Sequence, residues 1–167
     1  MVQAFLVKYA EIGIKGKNRY VFEDALVRRI KERLQRCQGD FFVEKEQGRI
    51  YIEAKSAFDE DEVIDGLTHV FGIAHICPVV LVEDKTFSHI CEQLVEHMRE
   101  ELGDTPFTFK VFAKRSDKNY DMQSPEICME AGSYILEHMP NASVDVHHPQ
   151  VKVYVEIRQR AYVYVTS

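Results

Sequence analysis

The chain has 167 residues, 46% of them hydrophobic and 29% charged, with a formal net charge of −6. That length suits one large domain or two small ones, and the composition is that of an ordinary globular protein. No run approaches the roughly 20 apolar residues of a membrane span, and the N-terminal residues lack the cleavage pattern of a secretory signal, so a cytoplasmic protein with no membrane partner is expected.

Ala4 to Tyr9 reads as a first apolar strand, followed by a Gly/Lys/Asn loop at Gly13 to Asn18. Asn18 is placed to cap a helix in which Phe22, Leu26, Ile30 and Leu34 recur every four residues, with Val21 and Ala25 widening the stripe and Gly39 as a stop. Strands near Phe41 to Lys45 and Arg49 to Ala54 meet at a Gln47-Gly48 turn. Asp59 to Glu62 opens a second helix, since negative charge suits a helix N-terminus. Its apolar positions are Val63, Ile64, Leu67, Val70 and Phe71, and Gly72 closes it. Ile73 to Val82 is a further strand. The order strand, helix, strand, strand, helix, strand is the split βαβ arrangement of a ferredoxin-like domain.

The second half has another rhythm. Thr86 can cap a helix carrying Ile90, Leu94, Val95, Met98 and Leu102, ended by Gly103. Phe107 to Lys114 alternates as a strand, and Ser124-Pro125 starts a helix with Ile127, Ala131, Ile135 and Met139. Val144 to His147, Val151 to Arg158 and Ala161 to Val165 read as three strands, the last two a hairpin. The expected class is α+β, with a ferredoxin-like domain over residues 1–80 and a second α/β domain over 81–167.

Sites for independent chemistry are scarce in the sequence. Neither G-x-x-x-x-G-K-[ST], G-x-G-x-x-G, an S-G-G-x-D-S type loop, H-E-x-x-H nor G-x-S-x-G occurs. The cysteines Cys37, Cys77, Cys91 and Cys128 form no C-x-x-C pair, and only His147 and His148 are adjacent histidines. Neighbours on a strand point to opposite faces, so neither a zinc site nor a disulfide framework is expected, and the cysteines read as small buried apolar residues. Catalytic residues and metal ligands: none expected.

Charge is unevenly spread. Residues 1–36 hold nine Lys/Arg against four Asp/Glu, residues 37–106 five against sixteen, and residues 107–167 seven against seven. Because fields beyond about 8–10 Å are screened at physiological salt, an acidic flank does not exclude a basic binding face. Strand alternation puts Lys110, Phe112 and Lys114 on one face, with Arg115, Lys118 and Tyr120 continuing into a loop. On the hairpin Lys152, Tyr154 and Arg158 face outward, where Arg160, Tyr162 and Tyr164 can join them. Cations interleaved with aromatics hold single-stranded nucleic acid; a solvated strand face shows the same pattern. Lys15, Lys17 and Arg19 could grip a phosphate at the first helix's N-terminus, or merely solvate the loop.

The segment Leu6 to Arg19, LVKYAEIGIKGKNR, resembles the opening of the tRNA 4-thiouridine synthetases (tRNA uracil sulfurtransferases), whose pattern is close to LVKYGEIxLKGKNR. GLTHVFGIAHICPV at Gly66 to Val79, TFKVFAKRSDKNY at Thr108 to Tyr120 and VDVHHPQVKVYVEIR at Val144 to Arg158 match in the same order. The resemblance implies an N-terminal ferredoxin-like domain followed by a THUMP RNA-binding domain, which together hold tRNA and engage its 3′ CCA end. In the family an ATP-pyrophosphatase domain then adenylates a uridine and receives sulfur, and some members also supply thiamine synthesis. ATP, Mg and a cysteine desulfurase partner therefore belong to a catalytic domain whose signature is not in these residues. A homodimer would suit the need to span a tRNA. Ala10 stands for the usual glycine, Phe112 for a frequent arginine, and Cys128 and His148 for frequent asparagines. Two other readings stay open: a metabolite-sensing ferredoxin-like module, and a scaffold acting in trans with a separate sulfurtransferase.

Overall fold

The computed structural model describes residues 1–10 and 18–167. The chain divides into two compact units, Val2–Pro78 and Val79–Ser167, the latter joined by Met1. Among the described residues no helix is long and apolar enough to cross a membrane.

The first unit contains β1 (Val2–Tyr9), α1 (Arg19–Leu34), β2 (Phe41–Glu46), β3 (Arg49–Ala54), α2 (Glu60–Thr68) and the start of β4 (Ile73–Val82). Its strands lie in the order β2-β3-β1-β4, with β3 antiparallel to both β2 and β1. The ferredoxin-like expectation is met by this order. Leu26, Ile30 and Leu34, spaced by four, are buried from α1, and Phe5, Val7, Ile50 and Ile52 from the sheet. Burying such side chains contributes about 1.5–3 kcal/mol each, which is what docks a helix of mixed composition.

Several local expectations need correction. Val21 is 54% exposed, so the stripe of α1 is narrower than the run of apolar letters. Asn18 has helical backbone angles and makes no side-chain cap bond. Asp59 does cap α2, accepting the Glu62 N–H at 3.2 Å. Phe71 lies beyond the end of α2 and is 84% exposed. Gly72, at φ +103°, closes against α1: an added Cβ would sit 3.1 Å from the Phe22 ring.

The second unit takes the rest of β4, then α3 (Phe87–Leu102), β5 (Phe107–Arg115), α4 (Ser124–His138), β6 (Ala142–Val144), β7 (Val151–Ile157) and β8 (Ala161–Thr166). Strand order here is β4-β8-β7-β5-β6. β5 is parallel to β6 and β7, and β8 is antiparallel to β7 and β4. α3 packs on β8 and α4 on β5. Phe109, Val153, Val155 and Val163 are buried with Ile90, Leu94, Met98, Ile127 and Ile135 of the helices. Cys91 is buried there too, and burial pushes its thiol up to about 12; Cys37, Cys77 and Cys128 are only half-buried.

Here too local readings shift. Thr86 does not cap α3 with its side chain; its hydroxyl donates to Asp84 at 2.6 Å. β6 falls earlier than the predicted Val144 to His147. His147 and His148 therefore sit in a loop, both donating backbone N–H groups to the Asp145 carboxylate at 3.0 Å.

Candidate nucleic-acid interface

Register builds the candidate face of the second unit row by row. Parallel pairing sets Lys110 beside Lys152, Phe112 beside Tyr154 and Lys114 beside Glu156. The β7–β8 hairpin extends the rows to Thr166, Tyr164 and Tyr162. Because partners across a ladder point the same way, the rows are lysine–lysine–threonine, three aromatics, and lysine–glutamate–tyrosine. The opposite faces of the same strands are the valine and phenylalanine core, so two-residue alternation alone sends these side chains away from α3 and α4.

The aromatic row is a ladder of stacked rings. Phe112 and Tyr154 have centroids 5.2 Å apart at 20°, and Tyr154 and Tyr164 are 4.8 Å apart at 11°. Both faces of Tyr154 are thus covered by its neighbours. Lys110 Nζ lies 4.9 Å from the Phe112 centroid, a cation–π contact at the outer end of the row. Tyr164 itself is buried. The ladder stiffens the surface and holds a lysine, rather than offering the Tyr154 faces to bases.

At the other end two arginines crowd Tyr162, with the Arg158 and Arg160 guanidinium carbons 4.6 and 5.4 Å from its centroid. Arg158 donates to Glu156 at 2.7 Å, and Arg160 pairs with Glu83 at 3.1 Å. Lys114 and Lys118 are exposed and, among the described residues, have no carboxylate partner. Arg115 is half-buried and donates to the Asp117 carbonyl at 3.1 Å. The face can therefore present cations, while its carboxylates are engaged by other side chains.

The structure brings Lys110, Phe112, Lys114, Arg115, Lys118, Arg158 and Arg160 into this one unit. Arg19 opens α1 in the other unit and is exposed. Lys15 and Lys17 lie outside the described residues. Sequence reasoning did not single out Glu156 or Lys85. A carboxylate two residues before Arg158, on the same strand face, was the available signal for Glu156. Lys85 had none. Among the described residues no three His, Cys, Asp or Glu side chains cluster as a metal site.

Residues 4–77 match the family model of the ThiI ferredoxin-like domain, and residues 84–166 that of the THUMP domain. The chain consists of a ThiI ferredoxin-like domain followed by a THUMP domain. It is 50% identical over 164 residues to a probable tRNA sulfurtransferase of Agathobacter rectalis, covering 98% of this chain and 42% of the relative. A probable tRNA sulfurtransferase of Lachnospira eligens is 51% identical over 158 residues, covering 95% and 40%. A crystal structure of a 4-thiouridine synthetase–RNA complex with bound ATP matches at TM-score 0.74 and 33% identity, over 99% of this chain and 41% of that one. The chain thus spans about two fifths of the length of the curated relatives it matches. The three rows of side chains belong to the THUMP domain, and Arg19 to the ThiI ferredoxin-like domain.

Proposed function

We propose that this chain is the tRNA-holding region of a tRNA uridine thiolation enzyme, working in the cytoplasm, where its substrate is. The THUMP domain captures the single-stranded 3′ CCA end and so positions the tRNA for ATP-dependent 4-thiouridine formation by a catalytic domain outside these residues. The observation that carries this reading is the lysine row Lys110–Lys152 set against a rigid aromatic row, with Lys114 and Lys118 unpaired by carboxylates among the described residues. Such a surface attracts phosphates and keeps its cations in fixed places.

In this reading Lys110, Lys114, Arg115 and Lys118 contact phosphates, helped by Arg158 and Arg160, while Phe112 backs Lys110. Lys15, Lys17 and Arg19 touch the tRNA body. ATP and Mg would be held by the catalytic domain, as would contact with a cysteine desulfurase, and a homodimer would let two chains share one tRNA.

The test compares intact tRNA with tRNA trimmed of its 3′ CCA. Trimming should weaken binding markedly; equal affinity would contradict CCA capture. If about six phosphates are neutralised, log affinity should fall against log salt with a slope near −4. A flat response would remove the electrostatic basis.

A further inference from the structure

We propose that Lys85 and Asp117 form a clamp that positions the two cation-bearing loops of the THUMP domain, a role that rests on the RNA-binding reading above. Lys85 lies between β4 and α3. Its Nζ donates to the Asp117 carboxylate at 2.6 Å and to the carbonyl oxygen of Arg158 at 2.9 Å. The two side chains are only 25% and 23% exposed.

Around this pair the loop is cross-braced. Asp117 accepts the Asn119 N–H on its carboxylate at 3.0 Å. Its carbonyl accepts from the Arg115 guanidinium at 3.1 Å and the Tyr120 N–H at 3.2 Å. The Tyr120 hydroxyl donates to the Lys85 carbonyl at 2.7 Å, closing a ring of contacts back to the lysine. Ser116 and Asp117 both donate backbone N–H groups to the carbonyl of Ile157. One side chain therefore ties together the segment before α3, the loop 115–120 and the hairpin turn 157–160. The last two carry Arg115, Lys118, Arg158 and Arg160.

The chemistry favours a geometric role over direct contact. An ammonium has three donors, and two of those on Lys85 are satisfied inside the domain, with its charge matched by Asp117. A carboxylate in a loop that attracts phosphates is, on charge alone, unfavourable to binding. Asp117 is explained if it shapes the loop, by an Asx turn to Asn119 and an ion pair to Lys85. A loop already held in one conformation loses less freedom when RNA binds, which strengthens binding with no added contact.

Asp117→Asn separates the two roles by sign. It removes an anion, so a purely electrostatic surface would bind tRNA more tightly, whereas loss of the clamp should weaken binding roughly five- to tenfold. Lys85→Met should weaken it similarly, Lys85→Arg should retain most of the affinity, and the double variant Lys85→Met/Asp117→Asn should be no worse than either single one. Amides of residues 116–120 should exchange hydrogen faster in the free single variants, with thermal midpoints recorded alongside. An Asp117→Asn chain that binds as tightly as the parent, additive losses in the double variant, or unchanged exchange would each overturn the clamp. A parent that binds no tRNA overturns the RNA reading and this role together; a binding parent with an indifferent Asp117→Asn overturns the clamp alone.

Discussion

Tyr164 on β8 donates its phenolic hydrogen to the carboxylate of Glu156 on the neighbouring strand β7. Their exposures are 5% and 3%, and the same carboxylate accepts from Arg158 at 2.7 Å. An anion on an otherwise cationic face is thereby explained: Glu156 is a buried anchor that holds both an arginine and the last ring of the ladder. Tyr164→Phe keeps the ring and deletes the donor. It should lower unfolding stability by about 1–3 kcal/mol, measured by urea denaturation, because a buried carboxylate loses a hydrogen bond. A loss of only a few tenths would show that the hydroxyl is dispensable.

The ladder makes a ranking prediction. Tyr154 stacks on two rings and Phe112 on one ring of the row. Each such pair contributes about 0.5–1.5 kcal/mol beyond area burial. Tyr154→Ala should therefore destabilise the domain more than Phe112→Ala, by about one stacking pair. Equal costs in chemical denaturation would argue against a ladder that works as a unit.

His97 sets an acid limit. It is 2% exposed on α3 and, among the described residues, has no hydrogen-bond partner at either ring nitrogen. Burial, with a smaller push from the N-terminal ammonium, lowers its pKa from 6.5 to about 4. Below pH 6.5 the unfolded chain binds a proton that the folded chain does not. Its contribution is therefore intact above pH 6.5 and is lost as pH falls toward 4, by about 3 kcal/mol at most. His97→Leu should lose less stability than the parent between pH 7 and 4.5 in paired unfolding curves. Parallel losses would mean that His97 does not carry this sensitivity.

The cations should separate into two kinds. Lys114→Ala and Lys118→Ala should each flatten the salt slope of tRNA binding by about 0.7 with little effect on folding. Arg158→Ala should cost about 1–2 kcal/mol of stability, since it takes a partner from buried Glu156; partial exposure of the arginine keeps this below the cost of breaking a fully buried pair. If Lys114→Ala destabilises the fold as much as Arg158→Ala, this division fails.

The sequence by itself determined the order of the elements and most of their buried faces. Leu26, Ile30 and Leu34 announced the buried side of α1, and Asp59 the start of α2. Two-residue alternation separated Lys110, Phe112 and Lys114 from Phe109 and Val111. These are local signals, because helix and strand periods are properties of a few consecutive residues. The four ordered motifs also pointed to the tRNA 4-thiouridine synthetases. Only the tertiary structure decided what each outward side chain does. Whether Tyr154 meets a base or another ring depends on residues 112, 154 and 164 falling into one row, and register between distant strands is not written in any one of them. For the same reason Glu156 was not singled out in the sequence, yet it proved a buried anchor for Arg158 and Tyr164. Lys85 lay outside every pattern, yet it joins loops more than 30 and 70 residues away. The lysine face was legible in the letters; the bracing that gives it a fixed shape required the fold.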